Sequence, residues 1–192
     1  DESTAAFSGF GGPKAMVESS EGGANMLVGI GINTGGYNYR AVGVKWMANA
    51  DSYMNDVKFV GGHGGLWKPK PGVEEPRGRW NRPARISSPD NPVAASGMDL
   101  AWDNQYWSLW VTNNGGGTFK DIWTASTYAT NGFYANNTST PGRIYAMSIE
   151  HHVRNEVRFS KVSNWKVYCM QTEEESREST DCQPIEMDDC KD

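Results

Sequence analysis

The sequence predicts an all-β protein that folds as a right-handed parallel β-helix, in which each coil covers the apolar face of its neighbour. Long amphipathic helix patterns are absent, and short β-rich runs dominate the chain. Gly, Asn, Asp, Ser or Thr separate many of these runs. In addition, matching side-chain types recur at a distance of two strands, as a solenoid requires.

The predicted strands are short and rich in β-branched, aromatic and other apolar residues. They are Met26 to Ile32, Ala41 to Trp46, Val57 to Val60, Ser108 to Val111, Thr118 to Trp123, Phe133 to Ala135, Ile144 to Ile149, Val157 to Phe159 and Val167 to Met170.

One series of similar residues recurs every 24 positions, at Leu109, Phe133 and Val157. We expect these side chains to stack inside successive coils. Asn113 and Asn137 are also 24 apart, as stacked asparagines would be. The spacing therefore predicts that these coils have the same length.

A second series, Phe119, Tyr145 and Val167, has spacings of 26 and 22 and interleaves with the first. A β-sandwich is the alternative, since its strands also recur at short intervals along the chain. The hairpin signals are poor, and the recurrence of similar side chains at two strands' distance favours the solenoid.

The segment from Gly61 to Met98 breaks this pattern within a domain that otherwise covers residues 1–192. It begins with Gly61 to Gly65 and contains six of the nine prolines. A segment this long inside a compact domain is usually functional or disordered. We interpret it as an excursion from the coil that walls one side of a groove, or as a mobile loop.

The end of the chain carries two further expectations. Pro184 to Asp192 begins another strand-like step, so we expect a fragment of a longer helix, or a last coil covered by another chain or segment. Cys182 and Cys190 are spaced to bridge a short loop, which leaves Cys169 free.

Charge and composition exclude some partners and favour secretion. The net charge of −5 comes without a basic stripe, which argues against nucleic acid, and no apolar run approaches the roughly 20 residues of a membrane helix. Overlapping N-glycosylation sequons occur at Asn136 and Asn137, and the chain begins with Asp1 rather than an initiator methionine. These features predict a secreted, extracellular glycoprotein.

Seven stretches of the chain carry a resemblance to known proteins. They are Asn25 to Ile32, Arg40 to Trp46, Asn55 to Phe59, Gly115 to Trp123, Thr138 to Arg143, Glu150 to Arg154 and Gln171 to Glu175. These stretches resemble coils of the pectate-lyase-like superfamily, and they are similar to family-55 glycoside hydrolases, which are β-1,3-glucanases, and to large secreted microbial β-helix proteins. The resemblance implies a carbohydrate-active β-helix, but no catalytic motif of those enzymes matches, so no catalytic residue is carried over.

The densest polar cluster surrounds two adjacent histidines. An offset of 22 places His151 over Glu173 and His152 over Glu174 on the next coil, about 4.8 Å away. A histidine and a carboxylate at that distance can pair. The residues predicted to be catalytic are Glu150, His152, Glu173, Glu174 and Glu175.

Glycoside hydrolysis needs two carboxylates, about 5–5.5 Å apart for retention and 6.5–9.5 Å for inversion. Glu150 lies one coil from the acidic run, so both geometries stay open. A solvated charged turn is the alternative for each single residue. A metal site of His151, His152 and Glu173 is disfavoured because consecutive histidines rarely converge on one ion, and no cofactor motif occurs.

Aromatic side chains supply stacking platforms for sugar rings. Trp107 and Trp110 are three positions apart, so we expect them on opposite faces of one strand, whereas Trp46 and Trp123 are expected in the core. The predicted substrate-binding residues are Asp99, Trp102, Asp103, Trp107, Trp110, Arg154 and Trp165.

The leading function is hydrolysis of a polysaccharide such as a β-glucan by paired carboxylates. A polysaccharide lyase is an alternative, with a basic residue as the base, although the acidity of the chain argues against a polyanionic substrate. A β-helix that only binds glycan, in an adhesive or structural role, is the other alternative.

Overall fold

The computed structural model describes residues 6–7, 11–35, 38–60, 105–125, 127–152 and 155–173. These ranges contain twelve β-strands and no helix, and 64% of their residues lie in strands. The all-β prediction is therefore confirmed. No helix in the described ranges is long and apolar enough to cross a membrane.

The strands form two sheets that the chain visits in turn. Sheet A is ordered β1-β3-β5-β7-β10, and sheet B holds the remaining strands. The strands of sheet A are β1 (Lys14–Glu18), β3 (Ala41–Trp46), β5 (Gln105–Val111), β7 (Ala129–Thr138) and β10 (Asn155–Val162). Those of sheet B are β2 (Met26–Ile32), β4 (Tyr53–Val60), β6 (Gly117–Ala125), β8 (Gly142–Ile144), β9 (Met147–Glu150), β11 (Trp165–Val167) and β12 (Met170–Glu173).

All the strand pairs within the described residues are parallel, so this part of the chain forms a parallel β-solenoid of about four turns. We call one strand of sheet A, with the sheet B strands that follow it, a rung. Leu109 pairs with Phe133, and Phe133 pairs with Val157. The predicted stacking of this series is confirmed, and the parallel pairing excludes a β-sandwich for these strands.

The core lies between the two sheets as columns of apolar side chains. In sheet A, Val17, Val44 and Leu109 continue the column that holds Phe133 and Val157. Val44, Leu109 and Phe133 are fully buried. Burial of each such side chain contributes roughly 1.5–3 kcal/mol, so the columns hold the rungs together.

The sheet B column corrects the second predicted series. Phe119 pairs with Ile144, and Ile144 pairs with Val167, at offsets of 25 and 23. Tyr145 points outward instead and stacks on Tyr168, with ring centroids 4.8 Å apart. The expected strand from Ile144 to Ile149 is also divided, because the chain bends at Tyr145 and Ala146 between β8 and β9.

Left-handed backbone positions mark the corners between the sheets. Asn113, Asn137 and Lys161 have φ of 49°, 50° and 54° and occupy equivalent positions of successive rungs. Asparagine tolerates this conformation better than most residues. The predicted register of Asn113 and Asn137 is confirmed, and it reflects a repeated turn of the backbone.

The predicted excursion at 61–98 lies outside the described residues. The strands on either side of it, β4 and β5, each pair with strands of neighbouring rungs. Tyr53 of β4 pairs with Met26 of β2 on one side and with Thr118 of β6 on the other, and the second step along the chain is more than twice as long as the first. The longer second step contains residues 61–98, and their excursion from the coil stays a prediction.

Interior positions of the last described rung are open to solvent. Phe159 and Val167 are 43% and 48% exposed, whereas their register partners in the preceding rung, Ala135 and Ile144, are fully buried. Pro184 to Asp192 lies outside the described residues. The expectation that another chain or segment covers this end stays a prediction.

Candidate functional site

A bend in sheet B creates an open groove on its outer face. Gly29, Asp56 and Asp121 stand at equivalent positions of three rungs, and each has a positive φ, of 66°, 51° and 51°. The groove has a volume of about 490 Å³. Its lining consists of Asp56, Lys58, Asp121, Ile122, Trp123, Ala146, Met147, Ser148, Cys169 and Gln171.

The groove combines a flat aromatic surface with charged and polar groups. Trp123 is 37% exposed, so the prediction that it lies in the core is wrong. Lys58 Nζ lies 3.5 Å from Asp56 Oδ1, and Lys120 Nζ lies 3.3 Å from Asp121 Oδ2. These carboxylates and ammonium groups can hydrogen-bond hydroxyl groups of a ligand that packs on the indole.

Two predicted catalytic carboxylates lie beside this groove. Glu150 of β9 and Glu173 of β12 are register partners on adjacent rungs. Ser148 Oγ lies 2.5 Å from both Glu150 Oε1 and Gln171 Oε1. Because the hydroxyl has a single proton, it donates a hydrogen bond to only one of these oxygens at a time. Gln171 Nε2 donates to Glu173 Oε2 at 3.4 Å. Two groove residues thus hold the two carboxylates.

His151 completes a compact group with these carboxylates. One ligand atom from each of Glu150, His151 and Glu173 lies within 4.8 Å of the other two. His151 has a φ of 59°, and its backbone N–H donates to Glu173 O at 2.8 Å. His151 Nε2 lies 3.7 Å from Glu173 Oε1. The predicted contact between His151 and Glu173 therefore exists, although the register partner of Glu173 is Glu150.

His152, one of the predicted catalytic residues, is buried in the interior of the solenoid and does not line the groove. Its side chain is 0% exposed. Nδ1 lies 2.8 Å from Glu156 Oε2, and Nε2 lies 2.9 Å from Thr124 Oγ1 and 3.1 Å from Thr127 Oγ1. An imidazole that donates from Nδ1 to the carboxylate accepts at Nε2 from the hydroxyls, so both nitrogens are engaged.

Burial also fixes the charge of His152. Desolvation, reinforced by the nearby His151, lowers the pKa of His152 from 6.5 to about 3, and the opposing effect of Glu150 is smaller. The ring is therefore neutral at physiological pH. The physical reason for its placement is local, because the left-handed backbone of His151 ends the strand alternation and turns the next side chain inward.

Trp107 and Trp110 lie on the same outer face of sheet A, contrary to the expectation. Their ring centroids are 4.6 Å apart. Ser108 and Leu109 both point into the interior, since Ser108 Oγ bonds Thr127 Oγ1 at 3.0 Å and Leu109 belongs to the core. Two consecutive inward residues break the alternation of β5, which brings the two indoles together.

These tryptophans are largely enclosed by protein contacts. Trp107 is 9% exposed, and Trp110 Nε1 donates to Asn136 Oδ1 at 2.8 Å. Trp165 lies against the core and stacks on Phe119 at 5.5 Å. None of the three lines the groove on sheet B, although their predicted role in binding substrate stays a prediction.

Several predicted residues cannot be placed relative to this site. Asp99, Trp102, Asp103, Arg154, Glu174, Glu175, Cys182 and Cys190 lie outside the described residues.

The described parts of the chain do place Cys169, which is free and exposed as expected. Asn137 is exposed at a corner, while Asn136 is half-buried on β7. The hydroxyl of Thr138, which completes the sequon at Asn136, is buried and donates to Gly115 O at 2.6 Å. Glycosylation at either asparagine stays a prediction.

We compared the chain with models of protein families, with curated proteins and with solved structures, and none of the three comparisons found a match. The parallel β-solenoid is thus established by the chain's own strand register. The superfamily and the activity remain matters for proposal.

Proposed function

We propose that this protein binds a glycan along the outer face of sheet B and hydrolyses it with Glu150 and Glu173. The observation that carries the proposal is the pairing of these carboxylates on adjacent rungs, beside a groove with a half-exposed indole. Sugar rings stack on flat aromatic faces, and glycoside hydrolysis uses two carboxylates that flank the scissile bond.

The separation of the two carboxylates favours a retaining mechanism. Their nearest oxygens lie within 4.8 Å of each other, which is closer to the roughly 5–5.5 Å of retaining enzymes than to the 6.5–9.5 Å of inverting ones. In this mechanism, one group protonates the glycosidic oxygen and the other attacks the anomeric carbon. We assign Glu150 as the nucleophile, since the Ser148 hydroxyl, 2.5 Å from Glu150 Oε1, can hold this carboxylate in place.

The groove supplies the binding part of the function. Trp123 offers one indole face, and Asp56 and Asp121 on successive rungs offer carboxylates to sugar hydroxyls. A linear polysaccharide lying across the rungs would meet one outward side chain of this row on each rung, in the order Lys58, Trp123, Ser148 and Gln171. The chain resembles β-helix enzymes such as β-1,3-glucanases, and its sequons suggest secretion. Both features agree with an extracellular polysaccharide substrate.

The test is an assay of the protein against a panel of polysaccharides. We expect new reducing ends without ultraviolet absorbance, because hydrolysis leaves no unsaturated sugar. An ultraviolet-absorbing product would show a lyase, and binding without any product would show a non-catalytic glycan-binding protein. Either result would contradict the proposed hydrolysis.

Substitution identifies the residues responsible. Glu150→Gln and Glu173→Gln should each lower kcat by two or more orders of magnitude, because the amide keeps the shape but cannot transfer a proton or attack. Glu21→Gln, at an exposed position of the first rung, is the matched control and should keep full activity. Normal turnover in both well-folded site variants would remove this carboxylate pair from the mechanism.

A further inference from the structure

The corner that carries the carboxylate pair also presents donor atoms that a metal ion could bind. Glu150, His151 and Glu173 bring two carboxylates and one imidazole together from two adjacent rungs. The part of the chain that the structure describes offers this mixed set of nitrogen and oxygen donors at the surface, with side chains of His151 and Glu173 that are 25% and 53% exposed. An ion can therefore reach the group from solvent.

We infer that Glu150, His151 and Glu173 form a binding site for a divalent transition-metal ion such as Zn²⁺. Zinc binds imidazole nitrogen at about 2.0–2.1 Å and carboxylate oxygen at about 2.0–2.2 Å, usually in a tetrahedron. Donor atoms in that geometry lie roughly 3.4 Å apart. The distance of 3.7 Å between His151 Nε2 and Glu173 Oε1 is close to this value.

The supporting contacts keep the donors in place. The hydrogen bond from His151 N to Glu173 O ties the histidine to the neighbouring rung. Ser148 and Gln171 contact the two carboxylates from the groove side. Partners of this kind orient ligands and raise the affinity of a site for its metal. Since no two donor atoms of the group are more than 4.8 Å apart, a small rotation of the half-exposed Glu173 side chain would bring them to the distances of a bound ion.

Three protein ligands leave one position of a tetrahedral ion open, for water or a sugar hydroxyl. The imidazole also sets the choice of metal, because Ca²⁺ and Mg²⁺ prefer oxygen donors. An ion held by both carboxylates would block them as acid and nucleophile. A second part of the inference, which rests on the proposed function, is therefore that zinc inhibits hydrolysis.

The test is calorimetric titration of zinc chloride into protein whose thiols have been alkylated with iodoacetamide. Alkylation is needed because Cys169 is exposed and thiolates bind zinc. We expect one zinc site per chain, with calcium chloride binding much more weakly. Absence of zinc binding, or equal affinity for calcium, would overturn the inference.

Substitutions locate the ion. Glu150→Gln, His151→Asn and Glu173→Gln should each weaken zinc binding roughly tenfold or more, because each removes one of three ligands. Asparagine is chosen at 151 because it tolerates the left-handed backbone there. Glu21→Gln is the control and should bind zinc normally. Unchanged zinc affinity in all three site variants would place the ion elsewhere and overturn the inference.

The two proposals fail separately. Zinc binding that depends on the three residues, in a protein that releases no reducing ends, would support the metal site and contradict the hydrolase. Hydrolysis that depends on Glu150, in a protein that binds no zinc, would support the hydrolase and contradict the metal site.

Discussion

His152 shows that a residue whose side chain suits catalysis can instead hold buried polar groups together. Its ring joins Glu156 to two threonine hydroxyls inside the solenoid, next to the corner that holds Glu150 and His151. A buried polar group is stable only when its hydrogen bonds are satisfied, and here both ring nitrogens have partners. We therefore regard His152 as a residue that positions this corner from within.

The neutral state of His152 gives a dependence of stability on pH. Its pKa is about 3 in the folded chain and near 6.5 when unfolded. Between these values the unfolded state binds more protons, so the free energy of unfolding decreases as the pH falls from about 6.5 towards 3. The charged or titratable groups facing the ring are Glu150, His151 and Glu156. We expect a loss on the order of a few kcal/mol.

His152→Asn tests this prediction through chemical denaturation at pH 7.5 and pH 4. The variant should be less stable at pH 7.5 by roughly 1–3 kcal/mol, because the threonine hydroxyls lose their acceptor. It should also lose less stability than the natural chain when the pH is lowered, since asparagine does not titrate. Equal losses in the two proteins would show that His152 does not cause the pH dependence.

The carboxylate pair was partly predictable at the residue scale. The spacing between the two motifs correctly placed Glu150 and Glu173 on neighbouring rungs. The predicted offset of 22 differs from the true 23 because it aligned Tyr145 with Val167, whose register partner is Ile144. The burial of His152 did not follow from this spacing, because the left-handed backbone of His151 turns the next side chain inward.

At the scale of the strand, a local break in alternation decides which side chains face the core. Ser108 and Leu109 of β5 both point inward, and Gly132 and Phe133 occupy the equivalent positions of β7. A period of two predicts only one inward residue of each pair. The sequence shows no signal for this break, which is why Trp107 and Trp110 were expected on opposite faces.

Gly132 makes room for the buried imidazole. A Cβ atom there would lie 2.3 Å from Ile149 Cγ2, 2.7 Å from His152 Cε1 and 2.7 Å from Thr124 Oγ1. Gly132→Ala should therefore lower the free energy of unfolding by roughly 1–3 kcal/mol, the usual cost of overpacking a core. Thermal or chemical denaturation measures this change.

Gly31→Ala is the matched control for that experiment. Gly31 also lies in a strand, but a Cβ atom there meets nothing within 4 Å. We expect its stability to change by less than about 0.5 kcal/mol. If Gly132→Ala were as harmless as Gly31→Ala, the tight packing around His152 would be contradicted.

At the scale of the whole molecule, the repeat was predictable and the groove was not. The constant spacing identified the solenoid because Leu109, Phe133 and Val157 belong to consecutive rungs without insertions. Asp56 and Asp121 also stand on consecutive rungs, but the inserted segment lies between them in the sequence. Their pairing could be predicted only if the position of the insertion, between β4 and β5, were already known.

The exposure of Trp123 was not predictable either. Lys58, Trp123, Ser148 and Gln171 form one row across four rungs on the outer face of sheet B. The sequence indicated short strands for these segments, but an isolated tryptophan in a β-rich run is more often buried. The row became visible only when the register of all four strands was known.

The most direct test of the central claim is a crystal structure of the Glu150→Gln protein with an oligosaccharide of the polysaccharide that the natural protein cleaves best. The account predicts a sugar ring packed on the indole of Trp123, with a glycosidic oxygen between residues 150 and 173. A sugar bound on sheet A at Trp110, or away from both carboxylates, would contradict it.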